Sequence, residues 1–599
     1  MLFELPFEII YHIALFLPTA TSVSNLAQTC PRLHAIITAE DSRIYRAFVS
    51  TKFPQIETPP FWKDAAQALA SRSRALDRHA VIGRYVVPPK SAVKIGSHQA
   101  TRRDNPTLGY RPAIDSYEAW NGQRWADKKE VLAWGAADQL VIRIKQTGTK
   151  AKERWFVFSD LEQTSSYDDI RGVCLLKPSY YGKKAETEHL IFGRVRGELV
   201  HLAISPDKKV HEYKHRFETF GLELERIDLS DGPCPTLAAH FANGVIAFYD
   251  TMSKDSLVQP FTHTRITSDR VTRNKCSRFL SPDRYALSTG RFEDSLSIAT
   301  VSPEGLSQLR TFDVHSIDIE EHTSINRRAN VTAVSPLSFP GARKSSGDVF
   351  LAAWGDRAVR LHDLRSSRPF EATFRDSTDQ NPVYSILPFG HDRFVVGAGG
   401  DAVVKIFDLR MPNTYNYLNA KGPSFSHPKP SHQGTAPSAN GIQNSINYPR
   451  KDFSLFISQP LPTPRRARNN SAYRGPIYTL SSPSPSSPSI YVGIVDGVFR
   501  LDFASTDDLT GPRRDWYRDN LALDLNTTPS SPDKVLQMSG YERPDPEAVT
   551  SSVKLRTQRP FSSVKDEDIR NEQLTGWDRR WERLDADAAW RWRQEFMRG

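Results

Sequence analysis

Cysteine is scarce. The 599 residues contain only four, Cys30, Cys174, Cys234 and Cys276, and no two form a C-x-x-C pair. That argues against a disulfide framework or a zinc site and points to a reducing compartment. No apolar run approaches the roughly 20 residues that a membrane span requires. A soluble chain of the cytoplasm and/or nucleus, with no membrane partner, is therefore expected. Three Asn-x-Ser/Thr triplets, at Asn330, Asn469 and Asn526, carry no meaning as glycosylation sites in such a compartment. Long blocks of one charge are also missing. The 79 basic and 69 acidic residues leave a net +10 without a basic run, so nucleic-acid binding is not indicated.

Catalytic signatures are absent too: there is no G-x-S-x-G elbow, no phosphate-binding P-loop and no kinase motif set. His211-Glu212-Tyr213-Lys214-His215 does match H-E-x-x-H, the two-histidine zinc motif of metalloproteases. However, Lys208, Lys209, Lys214 and Arg216 surround it, and its flanks lack the apolar stripe that buries a catalytic helix. It reads as a polar turn or an exposed strand. No catalytic residue, metal ligand or cofactor is assigned, and the chain is read as a non-enzyme.

What the chain does have starts with Phe7–Leu17, where only Glu8 and His12 are polar and share one narrow stripe. A helix apolar nearly all round is buried nearly all round. Ser22–Cys30 and Pro31–Thr38 read as two further short helices, and a unit of about 45 residues is near the size limit for folding alone. Some of this apolar surface should therefore be covered by another protein. A signal peptide is disfavoured because Glu4 and Glu8 are acidic and no Lys or Arg precedes Arg32. An ordinary core helix of a larger domain stays open as an alternative.

Leu5-Pro6-Phe7-Glu8-Ile9-Ile10, followed by Ile13, Leu17, Leu26 and Cys30-Pro31-Arg32-Leu33-His34, resembles the F-box. The family pattern is Leu-Pro-x-Glu-Ile, a run of spaced Ile and Leu, and a Cys/Ser-Arg-x-Leu close. The resemblance covers residues 1–48. Pro6 falls where the first turn of a helix tolerates proline. Ile9, Ile13 and Leu17 share one stripe, and Ile10, Ala14 and Leu17 the neighbouring one. One stripe can pack on the second and third helices while the other faces a partner. The resemblance implies a three-helix module that binds a Skp-type adaptor, and through it a cullin. The implied adaptor-binding residues are Leu5, Pro6, Ile9, Ile10, Ile13, Leu17, Leu26 and Leu33.

The middle of the chain repeats itself. Phe350–Arg365 and Phe394–Arg410 each give an apolar strand, a Gly-Asp turn and an alternating strand ending in Asp-Leu-Arg. Asp363 and Asp408 are 45 residues apart, as are Arg365 and Arg410. That period resembles WD-repeat propeller blades, with His362-Asp363 and Phe407-Asp408 at the family's Trp-Asp position and the tryptophan missing. Looser strand–turn–strand pairs recur at 131–145, 189–205, 237–250, 285–301 and 490–503, several around Asn-Gly or Asp-Gly turns. Together they suggest about seven blades over 81–503, against the alternative of a β-sandwich or two stacked β-domains. A propeller closes its strand edges by circular repetition. The expected fold class is thus multidomain, α plus all-β.

Other segments have their own signatures. Residues 413–470, rich in Pro, Ser, Asn and Gly, read as an inserted disordered loop, with Phe453–Ile457 as a candidate strand and Arg465–Arg468 as a basic cluster. Ser481–Ser489 is a polar tract of Ser-Pro dipeptides. Phe61–His79, within a 49–80 linker, is Ala-rich and helical in propensity, with Arg72, Arg74 and Arg78 on the side away from its apolar face. Tyr110–Trp125 is read chiefly as packing onto a sheet and secondarily as a substrate contact. In the 504–599 tail, the spacing of Trp577, Trp581, Leu584, Ala588 and Trp592 predicts an amphipathic helix over 574–595.

Joined, the two resemblances imply a substrate receptor of a Skp–cullin–F-box ubiquitin ligase, with the propeller holding an unknown protein target. An alternative rests on Asp363/Arg365 and Asp408/Arg410. Some WD-repeat proteins dock on a different cullin-ligase adaptor through Asp-x-Arg closings. A third expectation is a ligase-independent interaction scaffold. Were the target phosphorylated, Arg273, Arg284, Arg291 and Arg360 are the candidate phosphate contacts.

Overall fold

The computed structural model describes residues 4–17, 19–39, 42–54, 56–96, 100–104, 109–178, 187–266, 276–317, 319, 328–337, 347–376, 379, 381–400, 402–410, 452–457, 475–525, 535–542 and 554–584. Five helices come first: α1 (Phe7–Phe16), α2 (Ala20–Ala27), α3 (Pro31–Ile37), α4 (Arg43–Lys52) and α5 (Trp62–Asp77). Local chemistry sets their starts. Pro6 precedes α1, the Thr19 hydroxyl accepts the Ser22 N–H at 3.1 Å to cap α2, and Pro31 opens α3. Each meets the shortage of acceptors at a helix N-terminus. Ala14, Val23, Ile37, Ile44, Phe48 and Val49 are buried together with Ala65, Ala66 and Leu69 of α5. α4 packs on both α1 and α5, so the boundary expected at 48/49 cuts through a helix. The five helices form one body.

The arginines of α5 bond to the rest of the chain, Arg72 buried and Arg74 and Arg78 half-buried. Arg72 is 3% exposed. Its guanidinium donates to the carbonyls of Pro485 (2.6 Å) and Ser487 (2.9 Å) and lies 5.0 Å from the Phe389 ring. Burial lowers its pKa to about 10, which still leaves it a cation at neutral pH. Arg74 pairs with Asp508 and Arg78 with Glu572. The Ala-rich face meets the other helices, and the arginine face meets the rest of the chain.

All seven expected hairpins form, each in a different sheet. Left-handed turn residues close two of them: Gly244 has φ 81°, and Asp496 has φ 62° just before Gly497. Tight hairpins need such residues to match strand twist. Six of the sheets are blades, each built on strands that follow one another closely in the chain, with Leu257–Val258 and the tail strands added at the outer edges of two of them. Their inner strands are Ile114–Trp120, Ile170–Leu176, Leu224–Leu229, Arg278–Phe279, Val331–Pro336 and Val383–Phe389. The arrangement is propeller-like. The remaining large sheet is composite: Thr479–Ser481, Ser489–Ile494 and Gly497–Asp502 are joined by the early strand Ile82–Val86, which places Ile82 opposite Asp502. Its inner strand touches Val383–Phe389 on one side and Ile114–Trp120 on the other. Val349–Trp354 and Ser489–Ile494 are buried at every position, which is why they read as continuous apolar runs rather than alternating ones.

Polar side chains staple one inner strand to the next. Asp115 accepts the Leu175 N–H at 2.7 Å, and Asp228 accepts the Phe279 N–H at 2.7 Å. The Thr332 hydroxyl donates to the Val383 carbonyl, Ser385 to Ile477 at 2.9 Å, and Thr479 to Pro112 at 2.7 Å. These staples surround a cavity of about 720 Å³. Ile56, Phe389 and Pro485 line its end near the helices, and Arg111, Arg171, Tyr384 and Tyr478 line the other.

The tail wraps back onto this body. It adds α6 (Thr506–Thr510), α7 (Arg514–Leu521) and α8 (Asp568–Thr575). It also extends the sheet of Val383–Phe389 to seven strands through Ser539–Glu542, Lys554–Gln558 and Trp581–Arg583. Those strands build on Phe453–Phe456, which itself pairs with Val403–Asp408. The expected insertion at 413–470 therefore contains a blade strand, while its other parts, Arg465–Arg468 included, lie outside the described residues. The helix expected over 574–595 is also corrected. α8 stops before Gly576, at φ 72°, and Trp581 lies in a strand, while Ala588 and Trp592 fall outside the described residues. His79 explains the difference: its ring stacks on Trp577 at 4.4 Å, and its carbonyl accepts Trp581 Nε1–H at 2.9 Å. Tertiary contacts override the helical spacing of the tryptophans.

Candidate docking face and propeller surfaces

α1 divides the eight residues implied to bind an adaptor. Ile10 and Leu33 are 0% and 2% exposed and belong to the interior of the helical body. Leu17 and Leu26 are half-buried against that same interior. Leu5 and Ile13 are also half-buried, Pro6 is exposed, and Ile9 is 45% exposed. The residue that reasoning from the sequence passed over is Phe16, 83% exposed. Ile9, Ile13 and Phe16 are spaced 4 and 3 and so lie along one stripe of α1, with Leu5 just ahead of the helix. The signal was present: Phe16 continues the stripe of Ile9 and Ile13, but Leu17 fits the family pattern and drew the assignment. Arg32 donates to the Leu5 carbonyl at 3.2 Å and ties the chain just ahead of α1 to α3. Fully covering a side chain such as Ile9 or Phe16 contributes about 1.5–3 kcal/mol.

The Asp-x-Arg closings lock their own turns. Arg365 donates to Asp363 through its backbone N–H (3.0 Å), Nε (2.9 Å) and Nη2 (2.7 Å). Arg410 repeats this on Asp408 at 3.0, 3.0 and 2.8 Å. The Arg365 hydrogen bond holds the Asp363 carboxyl below its usual pKa. Burial alone would raise Asp408, but the bond from Arg410 and the charge of Arg393 hold it low. Arg410 also reaches Asp392 at 3.1 Å, and Arg393 joins Asp408 to Asp77 of α5, each at 2.8 Å. The second closing thus belongs to the seam between helices and propeller.

Other candidates resolve as structure. His211-Glu212-Tyr213-Lys214-His215 lies in the strand Val210–Phe217, with the histidines on the half-buried face and Glu212, paired with Lys214 at 2.6 Å, on the exposed one. A strand places the glutamate opposite the two histidines, so the helical metalloprotease geometry is not formed. His215 bonds the Asp255 carbonyl at 2.7 Å, and His189 bonds His201 at 3.0 Å. Burial, then the neighbouring His189 and His215, push His201 down to about 3. Among the described residues no group of three or more His, Cys, Asp or Glu is placed to hold a metal ion. In Tyr110–Trp125, Tyr117 and Trp125 are buried, in keeping with packing onto the sheet. The Ser481–Ser489 tract is not a free loop: Ser486, Ser487 and Ser489 are buried, and Arg72 and Glu118 hold the rest. Arg284, Arg291 and Arg360 are engaged by Asp348, Asp294 and Asp356, while Arg273 lies outside the described residues.

At the cavity mouth away from the helices, Arg111 lies 4.4 Å over the Tyr478 ring, and Tyr478 is 5.3 Å from Tyr384. Burial, then the like charge of Arg111, lowers the pKa of Arg171 beside them. No protein-family model matches this chain, and no curated protein matches it in sequence.

Proposed function

We propose that the chain is the substrate-recognition subunit of a Skp–cullin–F-box ubiquitin ligase, a non-enzymatic receptor of the cytoplasm and/or nucleus. The exposed stripe of α1 carries this reading. It is apolar, faces away from the helical interior and is held by a body fixed to a propeller-like ring, and the sequence around it resembles the F-box. In this reading Leu5, Pro6, Ile9, Ile13 and Phe16 meet the adaptor, whereas Ile10, Leu17, Leu26 and Leu33 shape the surface from beneath. The composite sheet counts as a seventh blade that closes the ring, and the propeller holds the target. The receptor's contribution is tethering: two sites on one rigid frame raise the effective concentration of target lysines near the conjugating enzyme.

Full-length protein expressed with a tag is the test. Wild type co-purifies with a Skp-type adaptor and a cullin, and Ile9→Asp/Phe16→Asp does not. Retention of the adaptor by that variant at wild-type yield would sink the proposal. The Asp-x-Arg reading keeps one supporting observation, the 66% exposure of the Arg365 side chain. It would replace the first if a propeller-built adaptor were captured instead and lost with Arg365→Glu/Arg410→Glu. Capture of neither adaptor leaves the scaffold reading.

A further inference from the structure

On the propeller face away from the helices, three loops of adjoining blades meet around one hairpin turn. Residues 160–169 precede the inner strand Ile170–Leu176, residues 194–198 connect Glu188–Arg194 to Leu199–Ser205, and residues 218–223 lead to Leu224–Leu229. Hydrogen bonds fasten them together. The Tyr167 carbonyl accepts the Arg196 N–H at 2.8 Å, and the Thr219 hydroxyl donates to the Gly197 carbonyl at 2.7 Å. From this fastened junction two aromatic side chains stand in solvent, Tyr167 at 59% and Phe220 at 64% exposure.

Phe220 is the more telling of the two. Its φ is +56°, in the left-handed region, although the next residue is a glycine with φ +70°. A bulky residue pays a steric cost there that glycine does not. The Glu218 carboxylate accepts the Phe220 N–H at 2.7 Å and helps hold the conformation. The fold therefore bears both backbone strain and an uncovered aromatic ring at one point, a combination that concentrates at binding sites.

Charge identifies the occupant. The three loops hold seven acidic residues and two arginines, with no lysine. Both arginines are already engaged, Arg194 with Asp160 (2.6 Å) and Arg196 with Asp168 (2.9 Å). Arg102 reaches in from outside and pairs with Asp104 at 3.0 Å and with Asp169 at 3.3 Å. Arg103 beside it donates its N–H to the Thr164 carbonyl at 2.9 Å. Acidic residues still outnumber basic ones, and Glu162 and Glu223 are exposed. The junction is thus acidic around two open aromatic faces, and aromatic faces attract guanidinium and ammonium groups. We infer that this junction is a docking site for a basic, Lys/Arg-bearing segment of a partner protein, whose cations lie over Tyr167 and Phe220 and pair with the surrounding carboxylates. The site stands whether or not α1 takes an adaptor.

Random peptides of about 12 residues, displayed on phage, are selected against the full-length protein and against Tyr167→Ser/Phe220→Gly. The wild-type pool is expected to gain Lys and Arg by about twofold or more over the input, and the variant pool is not. The strongest basic peptide should lose about tenfold in affinity on the double variant and weaken with salt. Phe220→Gly alone relieves the left-handed strain, so its melting temperature should equal or exceed that of wild type while peptide binding falls, which separates binding from folding. A wild-type pool without Lys/Arg gain, or one shared by the variant, overturns the inference. A gain in Asp and Glu instead overturns its sign of charge. Adaptor capture measured on the same samples reports on α1 separately.

Discussion

The outer stripe of α1 and the arginine face of α5 belong to one helical body, yet their chemistry is opposite. α5 presents Arg72, Arg74 and Arg78, and each has a protein partner: Pro485 and Ser487 carbonyls, Asp508 and Glu572. α1 presents Ile9 and Phe16, which the chain leaves in water. A polar face that looks like free surface in sequence is a joint to the rest of the chain, and an apolar face that looks like core is surface. Satisfied polar contacts mark where the molecule is complete, and open apolar ones mark where it is not.

The comparison is sharpest at Arg72. Arg72→Ala leaves two carbonyls without their donor in a buried seam and should destabilise the protein by about 3 kcal/mol or more. Urea denaturation of the full chain measures it, and a change under about 1 kcal/mol would show the seam to be loose. Ile9→Asp/Phe16→Asp should do the reverse, with stability held within about 0.5 kcal/mol for substitutions at a solvated face while adaptor capture is lost. A large drop in melting temperature would mean that the stripe is covered by this chain after all.

Asp115 gives an intermediate effect that depends on pH. Burial, outweighing its two backbone hydrogen bonds, raises its carboxyl to about 6. The folded state holds that proton more tightly than the unfolded chain, whose aspartates titrate near 4. The resulting stabilisation is complete below about pH 4 and fades as pH climbs through about 6. Relative to Asp115→Asn, wild type should thus gain stability as pH is lowered from 7 to 4, read as a difference in melting temperature. A gap independent of pH would show the carboxyl to be unshifted. The smallest effect belongs to Arg365→Ala, an exposed pair closing a single turn, expected to cost no more than about 1 kcal/mol. A larger loss would place Arg365 in the frame of the propeller rather than on its surface.

Much of the ring was legible because its signals are local. Asn243-Gly244 and Asp496-Gly497 announce their hairpins, and the Asp-Leu-Arg closings mark two blades by repetition. Partners far apart in sequence were not legible. Nothing near Arg72 foretells Pro485, and nothing near Phe453 shows that it completes a blade begun before Val403. Trp577 and Trp581 have helical spacing, yet His79, some 500 residues away, draws them into a turn and a strand. Phe16 was missed for a different reason: a stripe identified by pattern was not continued by geometry. The staples, such as Asp115 and Thr332, are polar residues of short inner strands that hold other polar residues too, and only the neighbouring blade gives them meaning.

The composite sheet has a consequence for how the protein is made. Ile82–Val86 leaves the ribosome early, but its partner strand Gly497–Asp502 is among the late ones. At about 5–20 residues per second, the early strand waits roughly 20–80 seconds for its mate. Asp508, Glu572 and Trp577, which receive Arg74, Arg78 and His79, arrive later still. An unfinished or prematurely terminated chain therefore displays an unpaired strand beside two unmatched arginines and an uncovered histidine ring. Unpaired strand edges of this kind are what chaperones cover, and the joint between helices and ring closes only once the tail has been made.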